Sequence, residues 1–469
     1  MKTISKQTHK GTVPIGKQRS YAEIVEFLDA NWTPKEVQRT SCIQKLDNAF
    51  GSIAKKLHTI FVSGSNGKSL TMNFAAQLLA HEGLNVGLFY APHILTYNER
   101  FCLNEEAIEN KEFTDLANEV INRAAAEGLE ADTLDILTMM AFVYFERNGV
   151  DVALFEVNEG DALYTTQVCA PKITAITRIA TNTEPESETT KQAINTMLEI
   201  VQPGCHVVSA DQSKLNLQTM HDITEQKGGI WAMPIRKLAT LSYPFEQLHG
   251  RCASLAERIG EIFINTFVPK EKRSKDSLLA KQKGQRGRPT LEAKRQAELN
   301  PKKTLEQFWT ETSNSLACRF QLLEKEKPMT LLDNANNLDA FKNLLLGIRL
   351  LHYQRPLKGL SLIIGCNNPD VELDEFLKLL RYFFKKTSGN IIVCPVEPMP
   401  GDQAQTTWDV EKVTNDIKSM KIKARSSRTF KEAYDHALNS VDERNGLVVI
   451  AGSNSLINAY WKLKGAKKL

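Results

Sequence analysis

The stretch His58-Thr-Ile-Phe-Val-Ser-Gly64-Ser-Asn-Gly67-Lys68-Ser69 decides the fold. His58 to Ser63 is a short apolar, β-branched run that reads as a buried strand. It ends on a glycine turn and passes into a helical pattern with Leu70, Phe74, Leu78 and Leu79 on one face. Glycines at 64 and 67 let the chain turn tightly enough for successive N–H groups to face an anion. The positive end of the following helix points at the same place. Lys68 is positioned to neutralise β/γ-phosphate charge and the Ser69 hydroxyl to ligate Mg²⁺. Val62 occupies the place of the first glycine in the full eight-residue phosphate-loop pattern, so the motif is a shortened one. Gly64, Ser65, Asn66, Gly67, Lys68 and Ser69 are therefore expected to bind a nucleotide.

Working outward, the same alternation recurs. Tyr21 begins a helical pattern, and Ile43, Leu46, Phe50 and Ile53 form a second apolar face. Asn85–Tyr90, Asp151–Val157 and Ile173–Ile179 read as further strands, with helices over Phe113–Ala126 and Leu134–Phe145. Strands alternating with helices predict a parallel sheet covered on both faces. After Pro269 the texture breaks. Lys270 to Lys303 holds twelve Lys/Arg against four Asp/Glu, so this segment carries +8 and the remainder of the chain −4. It reads as a solvated insertion or linker. A second α/β pattern follows: strands at Pro328–Leu332, Leu360–Ile364, Asn390–Cys394 and Gly446–Ile450, and helices at Leu338–Leu351, Leu373–Phe384 and Asn454–Leu463. The expected architecture is α/β, a phosphate-loop parallel-sheet ATPase domain (21–268) followed by a smaller Rossmann-like C-terminal domain (312–469). A basic tail (1–20) precedes it, and the basic segment (269–311) joins the two domains.

A cation bound by one hydroxyl and phosphates needs a carboxylate as well. Glu156 follows the apolar run Val152-Ala-Leu-Phe155, at the tip of a strand, where open parallel sheets bind ligands. Ser69 and Glu156 are the expected magnesium ligands. The bland reading of Glu156 is an acid that merely ends a strand.

Composition removes other classes. With 42% apolar and 24% charged residues the chain is an ordinary globular one, and no apolar run is long enough to span a membrane. A net charge of +4 is too mild to imply nucleic acid by itself. Eight scattered cysteines with no CxxC exclude a zinc ribbon or disulfide scaffold and fit a reducing, cytoplasmic setting. Arg286-Gly-Arg288-Pro289 is similar to the core of a minor-groove AT-hook, but one four-residue match in a Lys/Arg-rich stretch is weak and a solvated loop is the favoured reading. The five tryptophans (Trp32, Trp231, Trp309, Trp408, Trp461) are dispersed, which implies packing rather than a base-stacking platform.

With these residues in view, the sequence resembles the folylpolyglutamate synthase/dihydrofolate synthase branch of the Mur ligase superfamily. Gly64–Ser69 resembles that family's Gly-Thr-Asn-Gly-Lys signature. Ala91-Pro92-His93 followed by Asn98-Glu99-Arg100 is similar to its Ser-Pro-His…Asn-Glu-Arg segment. Arg319 matches the arginine that reaches the nucleotide from the C-terminal domain, and Asp333-Asn-Ala-Asn-Asn337 resembles Asp-Gly-Ala-His-Asn. The resemblance implies an ATP- and Mg²⁺-dependent, monomeric ligase joining a small-molecule acid to an amine such as glutamate through an acyl phosphate. Lys68, Glu156 and His93 would take catalytic roles, and Arg319 and Asp333 would help bind the nucleotide.

The departures gather at the chemistry. Positions that carry second-metal ligands in the family are Ala91, Thr183 and Met197 here, and Asn336 stands for a histidine. Glu159, Asp161, Glu184 and Glu186 are the acids near enough in sequence to substitute. Two functions follow from the resemblance: a divergent ligase, or a catalytically degenerate nucleotide-binding homologue with a regulatory or scaffold role.

Overall fold

The computed structural model describes residues 16–32, 40–158, 168–180, 187–274, 276–279, 303–312, 316–367, 372–400 and 407–469. Among them are two sheets. The first has eight strands: β1 (Thr59–Ser63), β2 (Val86–Phe89), β3 (Phe101–Leu103), β4 (Glu106–Ala107), β5 (Val152–Glu156), β6 (Ile173–Ile176), β7 (His206–Ser209) and β8 (Ile230–Trp231), in the order β4-β3-β2-β5-β1-β6-β7-β8. β1 lies between β5 and β6, parallel to both, with Val62 opposite Glu156 and Ser63 opposite Ile176. The inner strands are buried along their whole length, as the near-continuous apolar runs require of a sheet covered on both faces. Only the β2–β3–β4 edge turns antiparallel.

Helix Lys68–His81 covers one face and packs against helix Phe245–Thr266. Helices Asn110–Ala126 and Thr133–Arg147 bury their apolar stripes in the cluster on the other face. The second sheet, β9 (Gln321–Leu323), β10 (Met329–Asp333), β11 (Leu360–Ile364), β12 (Asn390–Val393), β13 (Lys423–Ser426) and β14 (Leu447–Ala451), runs in the order β13-β12-β11-β14-β10-β9 and is parallel except at β9.

Most expected strands and helices appear within a few residues of their predicted ends. The 22-residue helix Phe245–Thr266 was not among them. Its two interior glycines lower its helical propensity, and both are close-contact positions: a Cβ on Gly250 would press on the Ala239 carbonyl at 3.1 Å, and one on Gly260 would strike Leu279.

The described ends of the basic segment are packed. Leu279, Phe308 and Trp309 join the core beneath helix Lys68–His81, and the Leu278 and Leu279 N–H groups donate to Glu82 at 2.8 and 3.3 Å. The AT-hook-like Arg286–Pro289 lies outside the described residues. The end of the basic tail also docks, through Arg19 and Asn118, on helix Asn110–Ala126. Among the described residues no helix is long and apolar enough to cross a membrane.

Trp309 is 1% exposed, meets Phe74 edge-on at 5.4 Å and donates to Glu257 at 2.7 Å. Trp309→Ala should therefore destabilise the first domain by about 3–5 kcal/mol in urea unfolding. A loss below about 1 kcal/mol would mean that helix Leu305–Glu311 is not part of that core.

Candidate nucleotide site at the junction of two domains

Parallel pairing brings the ends of β1, β5 and β6 to one edge. Gly64 leaves β1 at φ +127°, a conformation that side chains rarely adopt, and a Cβ there would collide with the Thr177 hydroxyl and the Arg178 backbone. The loop is laced to the segment after β6: Ser65 N donates to the Arg178 carbonyl at 2.8 Å, and Ala180 N to Ser65 Oγ at 3.0 Å. Gly67, at φ +87°, caps helix Lys68–His81. Lys68 Nζ folds back on the Gly64 carbonyl at 2.8 Å, so its ammonium stays over the mouth of the loop.

The two expected magnesium ligands meet. Ser69 Oγ lies 3.0 and 2.9 Å from the two oxygens of Glu156, which also accepts from Ala91 N at 3.3 Å. A hydroxyl and a carboxylate side by side at a helix N-terminus are hard oxygen donors of the kind Mg²⁺ takes together with phosphate oxygens. The pair fits that ion. Among the described residues no group of three or more His, Cys, Asp or Glu comes together as a metal cluster.

The second domain reaches into this edge. Arg319 Nη2 donates to Ser69 Oγ at 3.1 Å. Its two neighbours, Cys318 and Phe320, both hold left-handed backbone (φ +64° and +49°), an uncommon state for residues with side chains. Asp333 fixes that turn by accepting from Phe320 N at 2.9 Å and Ala335 N at 2.8 Å. The Phe320 ring then lies in the groove left by Gly347, beside Phe245 of the first domain. Asp333 thus acts on Arg319 through the backbone. Burial raises its carboxyl to about 6, against the opposing pull of the two N–H groups and the Arg319 charge.

A second bridge joins the loop to the same domain. Asn66 and Asn337 exchange amide hydrogen bonds at 3.0 and 2.8 Å, and Asn66 also donates to Asp339 at 3.0 Å. Asn337 caps helix Leu338–Gln354 with the same side chain, and Asp339 pairs with Arg178 at 2.8 Å. Arg178 and Asp339 went unnoticed in the sequence. Arg178 read as strand interior there, whereas β6 ends at Ile176, and a polar residue just past such an end lies at the ligand edge.

His93 is placed inside the wall. It is 7% exposed, accepts from Arg100 Nε at 3.0 Å and lies against Tyr97. Burial and the Arg100 charge hold it neutral, well below the usual imidazole range. Glu99 receives the N–H groups of Ile94, Leu95 and Thr96, so the Asn98-Glu99-Arg100 segment braces the loop bearing Ala91 and His93. Met197 is a core residue packed with Ile194 and Met220. Thr183, Glu159, Asp161, Glu184 and Glu186 lie outside the described residues.

The chain is similar to several known proteins. No family model matches the chain. It is 29% identical over 239 residues to a dihydrofolate synthase/folylpolyglutamate synthase of Bacillus subtilis, covering 49% of this chain and 52% of that one. It is 30% identical over 168 residues to the folylpolyglutamate synthase of Lacticaseibacillus casei, covering 34% and 39%. The chain therefore spans about half, or less, of these relatives' length. Among solved structures, Mycobacterium tuberculosis folylpolyglutamate synthase complexed with ADP and AMPPCP superposes with a TM-score of 0.72 at 16% identity, covering 96% of this chain and 99% of that one. A bifunctional folylpolyglutamate synthase/dihydrofolate synthase with Mn, AMPPNP and L-glutamate bound gives 0.68 at 17%, covering 96% and 98%. The fold is that of these synthases, with an N-terminal α/β domain followed by a C-terminal one.

Two outcomes follow from the geometry. Gly64→Ala should abolish nucleotide binding measured by calorimetry while leaving the fold intact by circular dichroism. Asp333 sets a pH dependence. With its carboxyl raised to about 6, the folded chain holds that proton more tightly than the unfolded chain does. Its contribution to stability is full below about pH 4 and is lost as pH rises through about 6. The stability of wild type relative to Asp333→Asn should fall across that window and stay flat above it, as read from urea midpoints at successive pH values.

Proposed function

We propose that the protein is an ATP- and Mg²⁺-dependent ligase that joins a folate- or pterin-bearing acid to the amine of glutamate. The observation that carries this reading is the meeting of Ser69, Glu156 and Arg319, from two elements of one domain and a strained turn of the other, at the mouth of a glycine phosphate loop. The names of the relatives, synthases throughout, support an active enzyme over a degenerate homologue. The eight cysteines, scattered and with no CxxC spacing, support a cytoplasmic setting.

The chain's own residues account for much of the chemistry. Backbone N–H groups of the loop and Lys68 hold the triphosphate and draw charge from the γ-phosphoryl. Ser69 and Glu156 would hold the magnesium ion, which when bound neutralises charge on the β- and γ-phosphates. Arg319 brings a guanidinium to the same hydroxyl from the opposite domain, so the cationic set is complete only when the domains are together. The acid's carboxylate displaces ADP from the γ-phosphoryl to form an acyl phosphate, and the amine then displaces phosphate from the acyl carbon. Water would hydrolyse that intermediate, and the domain contacts through Asn66–Asn337 and Arg319 help exclude it.

The test measures ADP and phosphate release from ATP with dihydropteroate or tetrahydrofolate as acid and glutamate as amine. Release should require both partners and vanish in Lys68→Ala, and Arg319→Ala should lower it by roughly 10²–10³. If ATP binds yet none of these acid–amine pairs elicits turnover, the ligase reading fails.

A further inference from the structure

Three arginines converge beside the phosphate loop without a matching set of acids among the described residues. Arg178 follows β6, and its carbonyl receives Ser65 N. Arg236 follows the segment whose Ile235 N donates to the Ser209 carbonyl, which places it just beyond the end of β7, the strand next to β6. Arg251 is on helix Phe245–Thr266, next to Cys252, whose sulfur lies directly behind Gly67: a Cβ on that glycine would come within 2.9 Å of it. All three therefore stand on the edge of the sheet that carries the loop.

Their partners are few. Arg178 pairs with Asp339. Arg251 is half-buried, and its Nη1 is sealed from solvent with no hydrogen-bond acceptor among the described residues. The groups that act on its charge are Arg178 and Arg236, both repulsive, and the Cys252 thiol. Asp211, on the same edge, is already occupied by Ile179 N, Ser213 N and the Asn216 amide. A buried guanidinium N–H without an acceptor, held among like charges, is unfavourable unless an anion meets it. Guanidinium forks match the oxygens of phosphate and carboxylate.

We infer that Arg178, Arg236 and Arg251 form a second oxyanion subsite beside the phosphate loop, which takes a phosphate or carboxylate group of a bound ligand. Two sources share that chemistry: the nucleotide itself, or a separate acidic ligand. The inference rests on the position of the phosphate loop, not on turnover.

The experiment uses the full chain and inorganic phosphate at constant ionic strength. In Lys68→Ala, which removes the loop's own cation, calorimetry should still detect saturable phosphate binding. Adding Arg251→Gln or Arg236→Gln should weaken it by roughly tenfold to a hundredfold, and Arg251→Lys, which keeps the charge but loses the fork, by less. Arg236 is exposed, so its variant carries the test should Arg251→Gln not fold. Competition between phosphate and ATP in the wild-type chain would assign the subsite to the nucleotide, and simultaneous binding would assign it to a second ligand; both uphold it. Absence of saturable phosphate binding in Lys68→Ala, or binding indifferent to Arg236 and Arg251, would overturn it. ATP affinity measured in parallel separates the two ideas, because a wild-type chain that failed to bind ATP would sink the ligase reading alone.

Discussion

The parallel pairing of β1 with β5 on one side and β6 on the other is the constraint from which the site follows. Parallel strands all release their C-terminal ends on one edge, so the loop after Ser63, the acid at Glu156 and the Thr177-Arg178 turn become neighbours although they are far apart in sequence. The register is held by burial: all three strands are buried along their whole length, and a slip of one residue would carry Ser63 into the position now held by Val62. With that register fixed, Ser69 lies within hydrogen-bonding distance of Glu156 with no further device.

The second domain completes the edge by a different means. Its contributions come from a turn and a helix cap, not from strand ends packed in the first sheet. Arg319 stands between two residues in left-handed backbone, a state costing of order 1–3 kcal/mol each and maintained only where the surroundings fix it. Here Asp333 fixes it from behind and Phe320, seated against Gly347, from the side. Asn337 both starts its helix and grips Asn66, so the start of that helix and the phosphate loop cannot shift independently without breaking two amide bonds.

The central strands, the phosphate loop and Glu156 could be read from the sequence because their signals are local: a β-branched run, glycines at a turn, an acid at a strand tip. Arg319 and Asp333 entered only through resemblance, since nothing near them in sequence says that they face a loop some 250 residues away. Helix Phe245–Thr266 stayed hidden behind Gly250 and Gly260, whose reason is tertiary contact. Strand β13, with alternating exposure and charged residues at Lys423 and Arg425, lacks the apolar run that marks its neighbours. Arg178 and Asp339 escaped for a sharper reason: the exact end of β6 decides whether Arg178 is strand or rim, and strand ends are where sequence patterns are weakest.

The charge balance at the rim ties these observations together. Lys68, Arg178, Arg236, Arg251 and Arg319 stand near the loop, opposed by Glu156, Asp333 and Asp339 among the acids that touch them or the loop. Each acid already has protein donors: Ala91 N and Ser69 for Glu156, two backbone N–H groups for Asp333, Asn66 and Arg178 for Asp339. A surplus of positive charge at this rim among the described residues favours a ligand bearing several negative charges over one bearing a single charge. That preference does not depend on the positions now held by Ala91 and Met197. The backbone N–H of Ala91 is directed at the same carboxylate, and Met197 has been absorbed into the core, so the protein's investment at this edge lies in guanidinium groups and one hydroxyl–carboxylate pair.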